Sequence, residues 1–275
     1  MVPVAPRRRT WPVRALFLAA VVAALSTTAV SPAEPRREVA AAEEATSAEP
    51  AARIVGGVGG DEDYHFVVSI QRPTEGKDHW CAGALVDPEW VLTTAHCVQG
   101  ELTAYTARVG TNHRSEGGSY ERVVEMVTHP HWNGHTGDIA LFRLARPVPA
   151  PTLPLAARRP PEGATVRILG WGKTCGTFEC SWEYPELLRQ LDVPVAAAAG
   201  CRAAGVDAAT ELCLRVSRDA TSCYGDSGGP AVVREGGAWR LAGLDSRGGD
   251  PVCGVGGLVF TEVTVYRDWV RSVIS

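Results

Sequence analysis

The chain has 275 residues and a mass of 29.2 kDa, more than one average domain and within reach of a two-lobed β protein. Hydrophobic residues make up 45% and charged residues 21%, which excludes a wholly disordered chain and a polytopic membrane protein. The net charge is −4, and residues 54–275 carry 26 acidic against 20 basic side chains, which argues against broad electrostatic binding of nucleic acid.

Residues 1–33 read as an export signal. Arg7, Arg8, Arg9 and Arg14 precede an unbroken apolar run from Ala15 to Leu25, and Ser31-Pro32-Ala33 offers small residues for cleavage after Ala33. A membrane anchor needs about 20 apolar residues, and Ser26, Thr27 and Thr28 interrupt the run, so no membrane attachment is expected after processing. Residues 34–52 are mostly Ala, Glu and Pro and cannot bury enough surface to order themselves. Arg53 then meets the apolar, glycine-rich Ile54-Val55-Gly56-Gly57, a good processing site. Residues 34–53 therefore read as a propeptide and 54–275 as the mature domain.

Within that domain, short β-branched and aromatic runs recur between turn signals. They are Phe66–Gln71, Ala84–Thr94, Tyr105–Gly110, Arg122–Thr128, Ile139–Leu144, Thr165–Gly170, Arg189–Val195, Ala231–Arg234, Trp239–Asp245 and Leu258–Val263. Their even spacing, without βαβ alternation, predicts an all-β sandwich or barrel. Pro147, Pro149, Pro151 and Pro154 cannot lie in a central strand and read as a linker between two lobes, about 54–146 and 147–275. At the end, Tyr266, Trp269, Val270, Val273 and Ile274 follow helical spacing. They predict a terminal helix on the second lobe, capped by Thr264.

All eight cysteines lie in the mature domain: Cys81, Cys97, Cys175, Cys180, Cys201, Cys213, Cys223 and Cys253. An even number behind an export signal points to disulfides. No C-x2-C pair exists, so zinc is not expected. The 105 possible connectivities stay open, although proximity in sequence suggests pairing each cysteine with its neighbour: 81–97, 175–180, 201–213 and 223–253.

Three polar segments carry chemistry. They are Thr93-Thr94-Ala95-His96-Cys97, Gly137-Asp138-Ile139-Ala140-Leu141, and Gly225-Asp226-Ser227-Gly228-Gly229-Pro230. Each alone fits packing or a turn. Together they supply a serine nucleophile, a histidine base and a carboxylate to orient it. The flanking glycines let backbone N–H groups converge where an oxyanion would form. His129, His131 and His135 form an H-x-H-x3-H cluster that reads as a surface loop, and no metal or other cofactor is expected.

In these motifs, their His, Asp, Ser order, Ile54-Val55-Gly56-Gly57, Gly170-Trp171-Gly172 and the cysteines, residues 54–275 resemble secreted serine peptidases of the chymotrypsin/trypsin family. The resemblance implies two six-stranded antiparallel β-barrel lobes with a C-terminal helix. It implies a secreted endopeptidase with Ser227 as nucleophile, His96 as base and Asp138 as orienter. Gly225 and Ser227 would supply the oxyanion-hole N–H groups. It further implies a zymogen: cleavage after Arg53 by an activating peptidase frees the α-amino group of Ile54 to pair with Asp226. Protein or peptide substrates, and protein inhibitors, are the implied partners.

The implied substrate pocket departs from the family. Thr221 stands where trypsin-like members carry an Asp, Leu258 where many have Gly, and Ser246-Arg247-Gly248 has Arg in place of an aromatic residue. One reading is a small apolar pocket for Ala, Val or Leu. The other has Asp245 supply a negative charge there. The first is preferred, because Asp245 and Arg247 on one strand face can neutralise each other. A binding protein that has lost catalysis is the rival class, disfavoured because all three motif residues are present. An esterase would match Gly-x-Ser-x-Gly, but the residue order and the lack of βαβ units oppose it.

Overall fold

The computed structural model describes residues 54–177 and 183–275. The expected signal peptide, the propeptide and Arg53 lie outside the described residues. Thirteen strands and one α-helix are described: β1 (Val58–Gly59), β2 (Val67–Arg72), β3 (Lys77–Asp87), β4 (Trp90–Thr93), β5 (Thr106–Val109), β6 (Ser119–Thr128) and β7 (Ala140–Leu144) come first. They are followed by β8 (Thr165–Gly170), β9 (Arg189–Ala196), β10 (Glu211–Leu214), β11 (Pro230–Glu235), β12 (Ala238–Gly248), β13 (Leu258–Glu262) and α1 (Arg267–Ile274).

Strands β2 to β7 close a barrel in the order β2-β3-β4-β7-β6-β5. Strands β8 to β13 close a second, in the order β8-β9-β10-β13-β12-β11, with all pairs antiparallel. Closure removes the unpaired edges that an open sheet would expose. The proline-rich segment lies between β7 and β8.

The expected strands recur with shifted ends. The run 84–94 divides into β3 and β4, because Asp87-Pro88-Glu89 makes a turn in which Asp87 Oδ1 accepts the Glu89 N–H at 3.0 Å. Strand β10 has no counterpart in the sequence reading. It is four residues long and opens on a glutamate, yet all four residues are buried. Strand β1 pairs with β9, so the start of the described chain belongs to the second barrel rather than the first.

One apolar cluster joins the two barrels. Val67, Leu92 and Leu141 of the first meet Leu169, Leu241 and Leu244 of the second, together with Tyr266 and Val270. The terminal helix therefore packs on the shared cluster, against which Val86 of β3 also packs, and not on the second lobe alone. Its N-cap is Tyr266, without a side-chain cap bond, and Thr264 instead bonds Glu262.

The disulfides Cys81–Cys97, Cys201–Cys213 and Cys223–Cys253 are formed. The expected Cys175–Cys180 pair includes Cys180, which lies outside the described residues.

Leu241 is fully buried in the shared cluster. Leu241→Ala is expected to lower stability by about 2–5 kcal/mol, read as an earlier urea midpoint with unchanged slope.

Candidate active site

His96 sits in a single 3-10 turn, Ala95–Cys97, directly after β4. Its imidazole is half-buried, while Asp138, just before β7, is buried. His96 Nδ1 donates to Asp138 Oδ2 at 2.8 Å, and the His96 backbone N–H donates to Oδ1 at 2.9 Å. Ser246 Oγ donates to Oδ2 at 2.6 Å, and Thr261 Oγ1 donates to the Asp138 carbonyl at 2.8 Å. The carboxylate is thus fully engaged and the ring is held at one nitrogen. This fixes the tautomer and leaves Nε2 as the acceptor.

The serine segment is a tight turn between Cys223 and β11. Asp226 N–H donates to the Cys223 carbonyl at 2.9 Å, and Gly229 N–H donates to the Asp226 carbonyl at 2.8 Å. The Ser227 carbonyl accepts the Ala82 N–H of β3 at 2.8 Å, which ties the turn to the first barrel. Gly225 has φ +98°, and a Cβ there would lie 2.5 Å from the Tyr184 ring. Only glycine suits both the conformation and the space.

His79, which the sequence reading passed over, holds the same turn. Its Nε2 lies 2.9 Å from the Gly225 carbonyl and its Nδ1 lies 2.9 Å from Ser69 Oγ. A carbonyl only accepts, so Nε2 carries the proton and Nδ1 accepts from the serine. Burial pushes its pKa down to about 4, so the ring is neutral near pH 7. Tyr184 packs edge-on against it at 5.2 Å. A lone histidine before Cys81 carries no motif, and its bond partner lies 146 residues away.

Asp226 is buried. Its Oδ1 accepts the Gly172 N–H at 2.7 Å and its Oδ2 the Cys223 N–H at 2.8 Å. A Cβ on Gly172 would overlap the carboxyl at 2.2 Å, which explains the glycine in Gly170-Trp171-Gly172. None of the described salt bridges includes Asp226. Burial pushes its pKa up to about 7, opposed by the two N–H donors. Ile54 is fully buried in the second barrel's core, and Val55 pairs with Thr221.

A cavity of about 190 Å³ opens beside Ser227. Asp245, Ser246, Arg247, Gly248 and Leu258 line it, together with Ser222. Thr221 is fully buried but not in the lining, and its hydroxyl donates to the Ser222 carbonyl at 3.0 Å. The expected neutralisation of Asp245 by Arg247 does not occur. A register shift between the two residues breaks the strand alternation that would place them on one face. Arg247 instead forms a two-pronged pair with the buried Glu211, at 2.8 and 2.7 Å, and also donates to the Ala204 and Gly205 carbonyls and to Ser246 Oγ. The same contacts bring Glu211, another residue the sequence reading missed, behind the site.

His129 packs against Tyr266 and Trp269, and His135 bonds the Gly205 carbonyl. His131 packs on His129 at 5.1 Å between ring centroids while His135 turns to Gly205, so the three rings do not converge on one point. The one described group of closely spaced metal-ligand types is Cys81, His96 and Cys97, whose two sulfurs are spent in a disulfide.

A carboxyl with a raised folded pKa binds its proton more tightly folded than unfolded, so its contribution to stability is lost as pH rises. For Asp226 in the uncleaved chain the window runs from the ordinary 3.8 up through about 7. Wild-type stability, measured against Asp226→Asn by urea unfolding, is expected to fall across that window. No relative loss would mean that the folded carboxylate is ionised and paired.

Comparison with known proteins agrees with this geometry. The family model described as Trypsin matches residues 54–270. The human protein "Chymotrypsin-like elastase family member 1" is 31% identical over 82% of this chain and 93% of its own length. "Hypodermin-B" of Hypoderma lineatum is 34% identical over 80% of this chain and 87% of its own length. With a buried carboxylate orienting a histidine between two closed six-stranded barrels, the chain belongs to the trypsin family of serine endopeptidases.

Proposed function

We propose that the chain is a secreted serine endopeptidase made as a zymogen and activated by cleavage after Arg53. The observation that carries the catalytic reading is the His96 Nδ1–Asp138 Oδ2 bond of 2.8 Å, buttressed by Ser246. Ser227 attacks the scissile carbonyl as His96 Nε2 takes its proton. A tetrahedral oxyanion forms, held by the N–H groups of Gly225 and Ser227. Collapse expels the amine, which takes its proton from His96, and leaves an acyl-enzyme on Ser227. Water, deprotonated by His96, then attacks the ester and frees the acid. Asp138 remains an anion throughout and stabilises the imidazolium. His79 and Tyr184 position the peptide of Gly225.

Two observations support activation at Arg53–Ile54. Asp226 is a buried carboxyl without a cation among the described salt bridges, and an ammonium at Ile54 would supply one. Ile54 also has φ +45°, a conformation that strains a β-branched residue. Cutting the bond removes that torsion as a constraint. Secretion is supported by the three disulfides, and no described helix is long and apolar enough to cross a membrane.

The test is proteolysis of a denatured protein substrate by the chain before and after cleavage at Arg53. Cleaved chain is expected to be active and uncleaved chain nearly inert. Ser227→Ala in cleaved chain should lose about 10⁴–10⁶-fold in kcat. An uncleaved chain as active as the cleaved form would overturn the zymogen reading. Full activity in Ser227→Ala would overturn the catalytic one.

A further inference from the structure

The cavity beside Ser227 holds a carboxylate that the catalytic machinery does not use. Asp245 is only 6% exposed, so its charge is poorly solvated, yet it lines the cavity that Ser227 opens into. Its backbone is fixed by bonds to the serine turn: its N–H donates to the Gly229 carbonyl at 2.9 Å, and its carbonyl accepts the Gly228 N–H at 2.8 Å. These bonds tie the strand position that carries the carboxyl to the serine turn. Ser222 donates a hydrogen bond to the carboxyl. No described salt bridge includes it.

The charged groups around it offer no relief. On its own strand, Arg247 spends its N–H groups on Glu211, two carbonyls and Ser246. From the other elements, Asp138 and Asp226 add negative potential, and His96 is the one nearby group whose charge would be positive. The exposed Asp250 adds a second carboxyl to the cavity lining. A buried acid in a cavity without a cation of its own is built to receive one from a ligand.

We infer that Asp245 is a specificity-determining residue that selects a substrate with an ammonium-bearing side chain, such as lysine, immediately before the scissile bond. The inference rests on the endopeptidase reading above and names the substrate class for the same site. An ammonium is favoured over a guanidinium for two reasons. A guanidinium fork needs two free acceptors side by side, and Ser222 already occupies part of this carboxyl, whereas a point-charge ammonium needs one. Leu258, 5% exposed, also occupies the cavity wall and limits the room for a wide planar group. Inefficient cleavage of the chain's own Arg53 follows, so the activator is a different, arginine-cleaving peptidase.

The selection depends on pH. Burial pushes the empty-cavity pKa of Asp245 up to about 7, and only the ionised form pairs with an ammonium. The preference for lysine over leucine is therefore expected to rise with pH through that region. Any pH effect on the catalytic machinery itself is common to both substrates and cancels in the ratio.

The experiment uses the chain cleaved at Arg53 and peptides that differ only in Lys, Arg, Leu or Ala before the scissile bond. The expected result is a kcat/KM for Lys above that for Arg and Leu. In Asp245→Asn the Lys/Leu ratio is expected to fall by about 10–100-fold, the worth of a charge-assisted hydrogen bond. A wild-type preference for Leu or Ala that is the same in Asp245→Asn would overturn the inference, as would a preference for Arg over Lys. Should Asp245→Asn fail to fold, wild-type enzyme cutting the Leu peptide is titrated with n-butylammonium and with n-butanol. Competitive inhibition by the ammonium alone, strengthening above about pH 7, supports the inference, and equal inhibition by both overturns it. Cleavage of none of the peptides, matching the Ser227→Ala control, would be a failure of the endopeptidase reading instead.

Discussion

The arrangement of this site turns on one buried carboxyl, that of Asp226. It sits where three segments meet and is held by the N–H groups of Gly172 and Cys223. Its approach to Gly172 is so close that no side chain fits there. The turn that carries Ser227 and the N–H of Gly225 starts from this anchor. A carboxyl taken out of water carries a large cost unless a cation or several donors meet it. Two donors meet Asp226 in the uncleaved chain, but burial outweighs them and its proton affinity is raised. A new ammonium at Ile54 would complete the set, and through it the proposed cut after Arg53 would act on a serine far away in sequence.

A second polar network supports the histidine from behind. Glu211 binds Arg247, Arg247 donates to Ser246, Ser246 donates to Asp138, and Asp138 accepts from His96. The members come from β10, β12, the segment before β7 and the turn after β4, so both barrels contribute. The buried pair at its far end, Glu211 and Arg247, is satisfied by a fork and by carbonyl acceptors, as a charged pair out of water requires. The same fork takes Arg247 away from Asp245. One salt bridge thereby leaves a carboxylate unneutralised next to the proposed nucleophile.

The two barrels are fixed relative to each other by apolar contact, and this keeps the halves of the site in register. His96 and Asp138 come from the first barrel, while Ser227 and the cavity come from the second. The shared cluster around Leu92, Leu141 and Leu241, closed by Val270 of the terminal helix, lies between them. The bond from Ala82 N–H to the Ser227 carbonyl crosses the same seam.

Much of this was legible from residues alone. Alternating apolar runs determine strands because side chains point to opposite faces at every step, and the ten expected runs all contain strand. The motifs around His96, Asp138 and Ser227 were readable because they are local, with glycines placed where the turn needs them. Strand β10 was not, since four residues opening on a glutamate carry no period, and only the Arg247 fork makes that glutamate a buried residue. His79 was hidden for a similar reason, as its partner, the Gly225 carbonyl, is remote in sequence. The pairing of Asp245 was misjudged because strand alternation was assumed where the strand bulges. Sequence determined which chemical groups exist and which segments extend; contacts across 36 to 146 residues decided which charges neutralise each other, because burial and pairing depend on position in three dimensions.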